Sequence, residues 1–484
     1  MGFSNSYWLP RFRSGATAQA VSECVSIRQK QIALADDHEI AYPSNRLRAQ
    51  TKAPRMGSFS LDLHVIETIL CSRVLSRYPE RMDRAFFATT NTRGKRIPFG
   101  IQYTDRFSHI YIIGKTGAGK TSLLESLLLQ DIWNGYGVSL IDPHGDLVEH
   151  LNTQIPPHRA DDVVYFDTAD PNQPYGYNPL KYVSAEHRPL AASGLLEVLK
   201  KAWSDSWGQR IEHILRNAIL ALLDVPDAAL PDILRLLIDK NYRHRVILSI
   251  DNERVRDFWV REYEKYPSRT RAEAIIPIQN KIGAFLSDPI LGRVLSRPDK
   301  PLSVRRIMDE RKILLVNLAK GRFGEDSASL LGGLLVTTIG LAAFSRAEIP
   351  EADRVEHLLH VDEFQNFTTL SIANMVSELR KYRVGLVLAN QYLHQLDPEI
   401  RYAILGNAGT FITFRVSAKD AAYISQEFAP TFSSPDLVHL PNFQIYLKLM
   451  IEGRPSVPFS AETLLPNAAL SASAAPKPAN LRVW

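Results

Sequence analysis

Residues 114–121 read Gly-Lys-Thr-Gly-Ala-Gly-Lys-Thr, and few stretches of this length restrict a chain so tightly. The run satisfies G-x-x-x-x-G-K-[ST] at every fixed position. It follows Ile110-Tyr111-Ile112-Ile113, a short apolar run rich in β-branched residues, and precedes a helical pattern over 122–131. A strand that turns through glycines into a helix can wrap backbone N–H groups around a phosphate chain. The positive end of the helix then faces the same charge. A chance glycine-rich turn would lack this strand-and-helix setting. Nucleotide contacts are therefore expected from Gly114, Lys115, Thr116, Gly117, Ala118, Gly119, Lys120, Thr121 and Ser122. Lys120 should reach the β- and γ-phosphates, and the Thr121 hydroxyl should ligate Mg²⁺.

A phosphate loop alone does not name a reaction. Leu358-Leu359-His360-Val361-Asp362-Glu363 supplies a second element, an apolar run ending in two adjacent carboxylates. Asp362 is expected in the Mg²⁺ shell and Glu363 as the group that polarises a water for attack on the γ-phosphate. An acid beside the metal aspartate favours hydrolysis over transfer to an acceptor, which argues against a kinase. A GTPase would carry an N-K-x-D base reader, and Asn280-Lys281-Ile282-Gly283 lacks the aspartate. ATP is the expected substrate. Leu388-Ala389-Asn390-Gln391 ends another apolar run in two amides, of which Gln391 is expected to sense the γ-phosphate. Arg380 and Arg415 are candidates for an arginine supplied to a neighbouring subunit's site. Asp142, His144 and Asp146 could be read as metal ligands, but three polar residues on one turn seldom close a site unaided. A loop at the mouth of the nucleotide site suits them better.

Short apolar runs at 138–141, 163–166, 313–316, 358–361, 385–388 and 411–414 alternate with helical patterns, which implies an α/β fold built of parallel units. Between 184 and 301 the strand signal fades. Apolar residues at helical spacing over 195–223, 232–239, 255–266 and 272–286 suggest an inserted all-helical domain. The expected division is an N-terminal region at 1–85, with helices over 17–34 and 60–78. A first core segment follows at 86–183, strand-like over 86–103 with a turn at Arg93-Gly94. The helical insertion spans 184–301, a second core segment 302–455, and a flexible tail rich in Pro, Ala and Ser 456–484. The longest apolar run, 330–344, is interrupted by three glycines and two threonines. It falls short of the roughly 20 residues needed to cross a bilayer. It reads as a buried helix, and no transmembrane segment is expected. With two cysteines in 484 residues there is no disulfide framework, which suits a reducing cytoplasm.

The order of motifs is familiar: the glycine loop, then Ile141-Asp142-Pro143-His144-Gly145-Asp146, the run 161–167, Tyr177-Asn178-Pro179-Leu180, Val316-Asn317-Leu318-Ala319-Lys320-Gly321, and the Asp-Glu strand. This order resembles the HerA/FtsK superfamily of P-loop ring motors. Within it the chain looks most like the coupling ATPases of conjugative type IV secretion, the TraD/TraG kind. The resemblance covers residues 97–453. It implies a RecA-like P-loop NTPase core with an inserted all-helical domain, ATP and Mg²⁺ as ligands, and a homo-hexamer around DNA. It also implies that Arg380 falls on the stretch offered to a neighbouring subunit. Coupling proteins usually carry N-terminal transmembrane helices, and HerA helicases a fuller β-barrel before the loop. The chain departs from both patterns.

Net charge is +5, which permits a polyanionic partner. From Arg235 to Arg311 seventeen Lys/Arg stand against eleven Asp/Glu, with clusters at Arg243-His244-Arg245, at Arg254 and Arg256, and at Arg269 and Arg271. Such a helical surface could track DNA phosphates without reading bases; a solvated face of mixed charge is the alternative. Trp203, Trp207 and Trp259 read as core residues. The leading expectation is a DNA-translocating ATPase of conjugation, cytoplasmic or peripheral at the inner membrane, with a secretion channel as partner. A HerA-like helicase with a nuclease partner in end processing or phage defence is the second reading. A nucleotide-dependent scaffold with little turnover is the third.

Overall fold

The computed structural model describes residues 82–474, apart from 92–95, 205–206 and 296–299. The helices expected over 17–34 and 60–78, the Arg93-Gly94 turn and residues 475–484 of the expected tail lie outside the described residues.

A sheet of eleven strands organises this part of the chain. In chain order the strands are β1 (Arg84–Thr90), β2 (Pro98–Gln102), β3 (Ile110–Ile113), β4 (Gly137–Asp142), β5 (Val163–Asp167) and β6 (Ile313–Asn317). They continue with β7 (His357–Val361), β8 (Val384–Asn390), β9 (Thr410–Thr413), β10 (Gln444–Lys448) and β11 (Phe459–Thr463). Their spatial order is β2-β1-β11-β10-β9-β3-β8-β7-β4-β6-β5. Every pair from β9 to β5 is parallel, and every pair from β2 to β9 is antiparallel.

Apart from the edge strand β5, the parallel strands are buried on both faces, as their largely apolar runs require. Alternation along β3 shows the division: Ile110 and Ile112 join one buried cluster, Tyr111 and Ile113 the other. Helix α1 (Lys120–Trp133) covers the first face, burying Leu123, Leu124, Leu127 and Leu128. Each such side chain contributes about 1.5–3 kcal/mol. Helix α2 (Asp146–Thr153) lies on the same side. The described residues of 188–294 are mainly helical, with α3 (Arg188–Ala202), α4 (Gln209–Leu223), α5 (Asp232–Ile238), α6 (Lys240–Ser249) and α7 (Ser268–Ser287) as the main elements. The apolar residues of this region belong to the same continuous cluster as the second face of the sheet. Helix α8 (Glu325–Phe344) and α9 (Leu370–Glu378) complete that face.

Three expectations need correction. The pattern read as one helical stretch over 195–223 is two helices, α3 ending at Ala202 and α4 beginning at Gln209. The apolar run at 330–344 belongs to a longer helix: Glu325–Glu348 is long and apolar enough to cross a membrane by length and composition. Its most apolar window is 72% buried in the fold, and the interrupting glycines let neighbours approach it closely, as Phe367 does at Gly332. The tail from 456 is not loose at its start. Residues 459–463 form β11, paired between β1 and β10. A closing helix (Pro466–Ala474) follows and buries Ala469. Pro, Ala and Ser composition concealed a strand whose partners lie far away in sequence.

Candidate functional site

The glycine loop leaves β3 and enters α1 as expected. Gly119, at the helix start, has φ 120°, a conformation that side-chain-bearing residues rarely adopt. A Cβ at Gly114 would stand 2.5 Å from Cβ of Phe414, so glycine lets the loop pass against that ring. Lys120 is buried, and its Nζ donates to the Gly114 carbonyl at 2.6 Å and the Lys115 carbonyl at 3.4 Å. Burial lowers its pKa, while the charges of Glu363 and Asp362 work in the other direction.

β8 runs between β3 and β7, so the ends of three strands stand side by side. This register brings Gln391 between the loop and the carboxylate pair. Gln391 Nε2 donates to Glu363 Oε1, and Thr116 Oγ1 donates to Gln391 Oε1 at 3.0 Å. Asn390 instead accepts from the Tyr111 hydroxyl at 2.6 Å and donates to the Tyr392 carbonyl, so it holds the fold. A cavity of about 230 Å³ is lined by Thr116, Gly117, Gly119, Lys120, Thr121, Ser122, Glu363, Gln391 and Phe443. The larger cavities lie elsewhere, one of about 600 Å³ among Asn217, Arg254 and Phe258. Size does not locate the chemistry here; convergent polar groups do.

Asp362 and Glu363 are both buried. Burial pushes the Asp362 carboxyl up to about 7, assisted by the charges of Glu363 and Asp142 and opposed by the Glu363 N–H and Lys120. Glu363 takes φ 44° and ψ 46°, a left-handed backbone that costs about 1–3 kcal/mol for a non-glycine residue. Its N–H is held by Asp362 Oδ1 at 2.9 Å, and its Oε2 accepts from Gln365 Nε2 at 2.7 Å.

Asp142 anchors the start of a helix. Its carboxylate accepts from the N–H groups of His144, Leu147 and Val148 at 2.9–3.3 Å. Among the described residues no group of three or more His, Cys, Asp or Glu side chains is placed to hold a metal ion. The Asn317 loop closes over the same turn, with Leu318 N–H on the Asp142 carbonyl and Lys320 N–H on the Pro143 carbonyl.

The two arginines separate. The Arg415 carbonyl accepts from the Lys115 N–H at 2.8 Å, and its guanidinium donates to the Leu440 carbonyl. Arg415 therefore borders its own loop. Arg380 lines a cavity with His109 and Gly409, at the opposite ends of the strands from the loop. The structure does not bring it to the site of its own chain.

Sequence reasoning missed Phe443 and a buried support. Phe443 is 39% exposed, held at φ 64° by its N–H bond to the Ala118 carbonyl, and touches the space above Gly119. Fully buried His360, two residues before Asp362, meets Asp131 of α1 at 3.0 Å, and Asp131 also pairs with Arg106. This ties the carboxylate strand to the phosphate-loop helix. No local pattern could reveal the pairing, because its members lie more than 200 residues apart.

The basic clusters of the helical region are partly structural. Arg243 pairs with Glu264 at 2.7 Å and donates to the Leu236 and Leu237 carbonyls, and Arg271 donates to the Tyr263 and Glu264 carbonyls. Arg245, Arg254 and Arg269 are exposed. Trp203 and Trp259 are buried, and Trp207 packs against the core.

The family model described as "Helicase HerA, central domain" matches residues 90–333, half of the chain. No curated protein matches the sequence. Among solved structures, the plasmid coupling protein TrwB bound to a GTP analogue superposes with a TM-score of 0.56 at 15% identity, covering 81% of this chain and 92% of TrwB. TrwB with ADP and Mg²⁺ gives 0.55 at 15% identity, covering 81% of this chain and 92% of that one. VirB4 of Thermoanaerobacter pseudethanolicus gives 0.56 at 14% identity, covering 80% and 98%. At such identities the likeness establishes the fold, a RecA-like P-loop core with helices. Together with the family match, it means that this chain belongs to the HerA central-domain family, as a HerA/FtsK-type P-loop ATPase that resembles the coupling proteins of type IV secretion.

Proposed function

We propose that the protein is an ATP-driven motor that translocates DNA in type IV secretion or conjugation. The observation that carries this reading is the convergence of the glycine loop, Glu363 and Gln391 on one cavity. TrwB is described in complexes with ADP and Mg²⁺ and with non-hydrolysable analogues of both GTP and ATP. ATP is favoured for this chain because Asn280-Lys281-Ile282-Gly283, its nearest approach to a guanine reader, lies within α7.

In the proposed mechanism the loop N–H groups and Lys120 grip the β- and γ-phosphates. The donor set fits Mg²⁺: Thr121 lines the cavity, and the buried Asp362 carboxylate lies electrostatically close to Lys120. The metal would neutralise charge on the phosphates. Glu363 orients and deprotonates the attacking water, and its close hydrogen bond to Gln391 reports the state of the γ-phosphate to β8. Arg380, remote from its own loop, is offered to the adjacent subunit of a homo-hexamer. Exposed Arg245, Arg254 and Arg269 track the DNA backbone.

Turnover should be stimulated by DNA and abolished in Lys120→Ala. Equal rates with and without DNA would remove the motor reading and leave a nucleotide-dependent scaffold. The family match favours a second reading, a HerA-like helicase, which strand separation of a forked duplex would distinguish from translocation alone.

A further inference from the structure

Glu363 is followed by a tight turn, Phe364–Asn366, and then by α9. Phe364 and Phe367 anchor this segment in the core. Its polar groups are gripped by one helix, α3, the first of the helical region. Glu197 of α3 accepts from both the N–H and the hydroxyl of Ser371 at 2.7 and 2.5 Å, fixing the start of α9. One turn further along the same face, Lys201 Nζ donates to the Gln365 carbonyl at 3.1 Å, the Asn366 carbonyl at 3.2 Å and the Thr368 hydroxyl at 3.1 Å. These three bonds use all three ammonium protons.

Gln365 is the link. Its backbone carbonyl takes Lys201, and its side-chain amide donates to Glu363 Oε2 at 2.7 Å. The other carboxylate oxygen accepts from Gln391, which in turn accepts from Thr116 of the glycine loop. One hydrogen-bonded path therefore runs from α3 through the turn and the carboxylate to the phosphate loop. We propose that Lys201 is a positioning residue: it makes the aim of Glu363 answer to the helical region, so that a partner bound there regulates water attack. The inference rests on the reading of Glu363 as the group that activates water. A displacement of α3 shifts Gln365 and removes one of the two bonds that orient the carboxylate. Misplacement on the scale of 1 Å is enough to slow chemistry by orders of magnitude.

The full-length chain supplies the test, with nucleotide affinity measured by a non-hydrolysable ATP analogue with Mg²⁺, and kcat measured with duplex DNA. Lys201→Met should lower kcat by about tenfold or more while changing analogue affinity less than about twofold. Lys201→Arg, which can still donate to carbonyls, should restore much of the rate. Glu197→Gln, which loosens the other end of the grip, should lower kcat in the same sense and carries the test if Lys201→Met does not fold. In a Glu363→Gln background Lys201→Met should add no further loss. An undiminished kcat in Lys201→Met, equal impairment of the Met and Arg variants, or multiplied losses in the double variant would each overturn the proposal. Wild-type turnover in Glu363→Gln alone would instead remove the assignment of Glu363.

Discussion

The two ends of the same central strands carry different kinds of polar group. At the carboxyl ends of β3, β7 and β8 stand Lys120, Asp362, Glu363 and Gln391, charged or polar groups crowded around a cavity, with the Asp362 carboxyl raised to about 7 by burial. At the amino ends stand His109 and His357, each matched to a local partner. His109 Nδ1 accepts from the Leu386 N–H at 3.1 Å, and His357 Nε2 meets Ser139 Oγ at 2.8 Å. Burial keeps both imidazoles neutral. Parallel strands deliver all their carboxyl ends to one edge, where the following loops can converge on a ligand. The amino ends receive chain returning from helices and are sealed for stability. The contrast teaches that one sheet can separate poised chemistry from inert packing by strand direction alone.

The largest effect is expected of Glu363→Gln. It should lower kcat by about 10²–10⁴-fold while nucleotide binding persists, read by single-turnover hydrolysis and analogue affinity. Next comes acid stability at the other end. The His109 pKa falls from 6.5 to about 4 on folding, so its contribution is full above pH 6.5 and disappears as pH falls toward 4. The loss is on the order of 3 kcal/mol. Denaturant midpoints at pH 7 and pH 5 should show about 2 kcal/mol of it, and His109→Asn, which tolerates the left-handed backbone, should remove that share and leave the dependence that buried His357 adds in the same direction. Gln391→Ala should cost about tenfold in kcat by freeing one oxygen of Glu363, measured under saturating ATP. The smallest effect is expected of Arg380→Ala on nucleotide affinity in the isolated subunit, a change within about twofold. A larger shift would place that residue at the carboxyl-end site after all.

Much of the parallel half was legible because its cues are local. Runs at 138–141, 163–166, 313–316 and 385–388 each became a strand within a residue or two. The antiparallel extension was harder. Gln444-Ile445-Tyr446-Leu447-Lys448 does alternate, burying Ile445 and Leu447, yet five residues beside turns gave too short a signal. Phe459–Thr463 carries Ser and Glu, and it became a strand through its pairing with β1 and β10. The arginine clusters at 243–271 read as one basic surface because spacing does not distinguish a guanidinium turned to a carbonyl from one turned to solvent.

The glycine loop, the acidic pair and the alternation of strands with helices were settled by sequence, since φ freedom, charge and periodicity are properties of adjacent residues. Folding alone decided which strands became neighbours. Placing β8 between β3 and β7 put Gln391 on Glu363, and crossing α3 over the turn after Glu363 put Lys201 on Gln365. Contacts such as these join residues from 28 to 164 positions apart. They are fixed by strand order and burial, which no local pattern records.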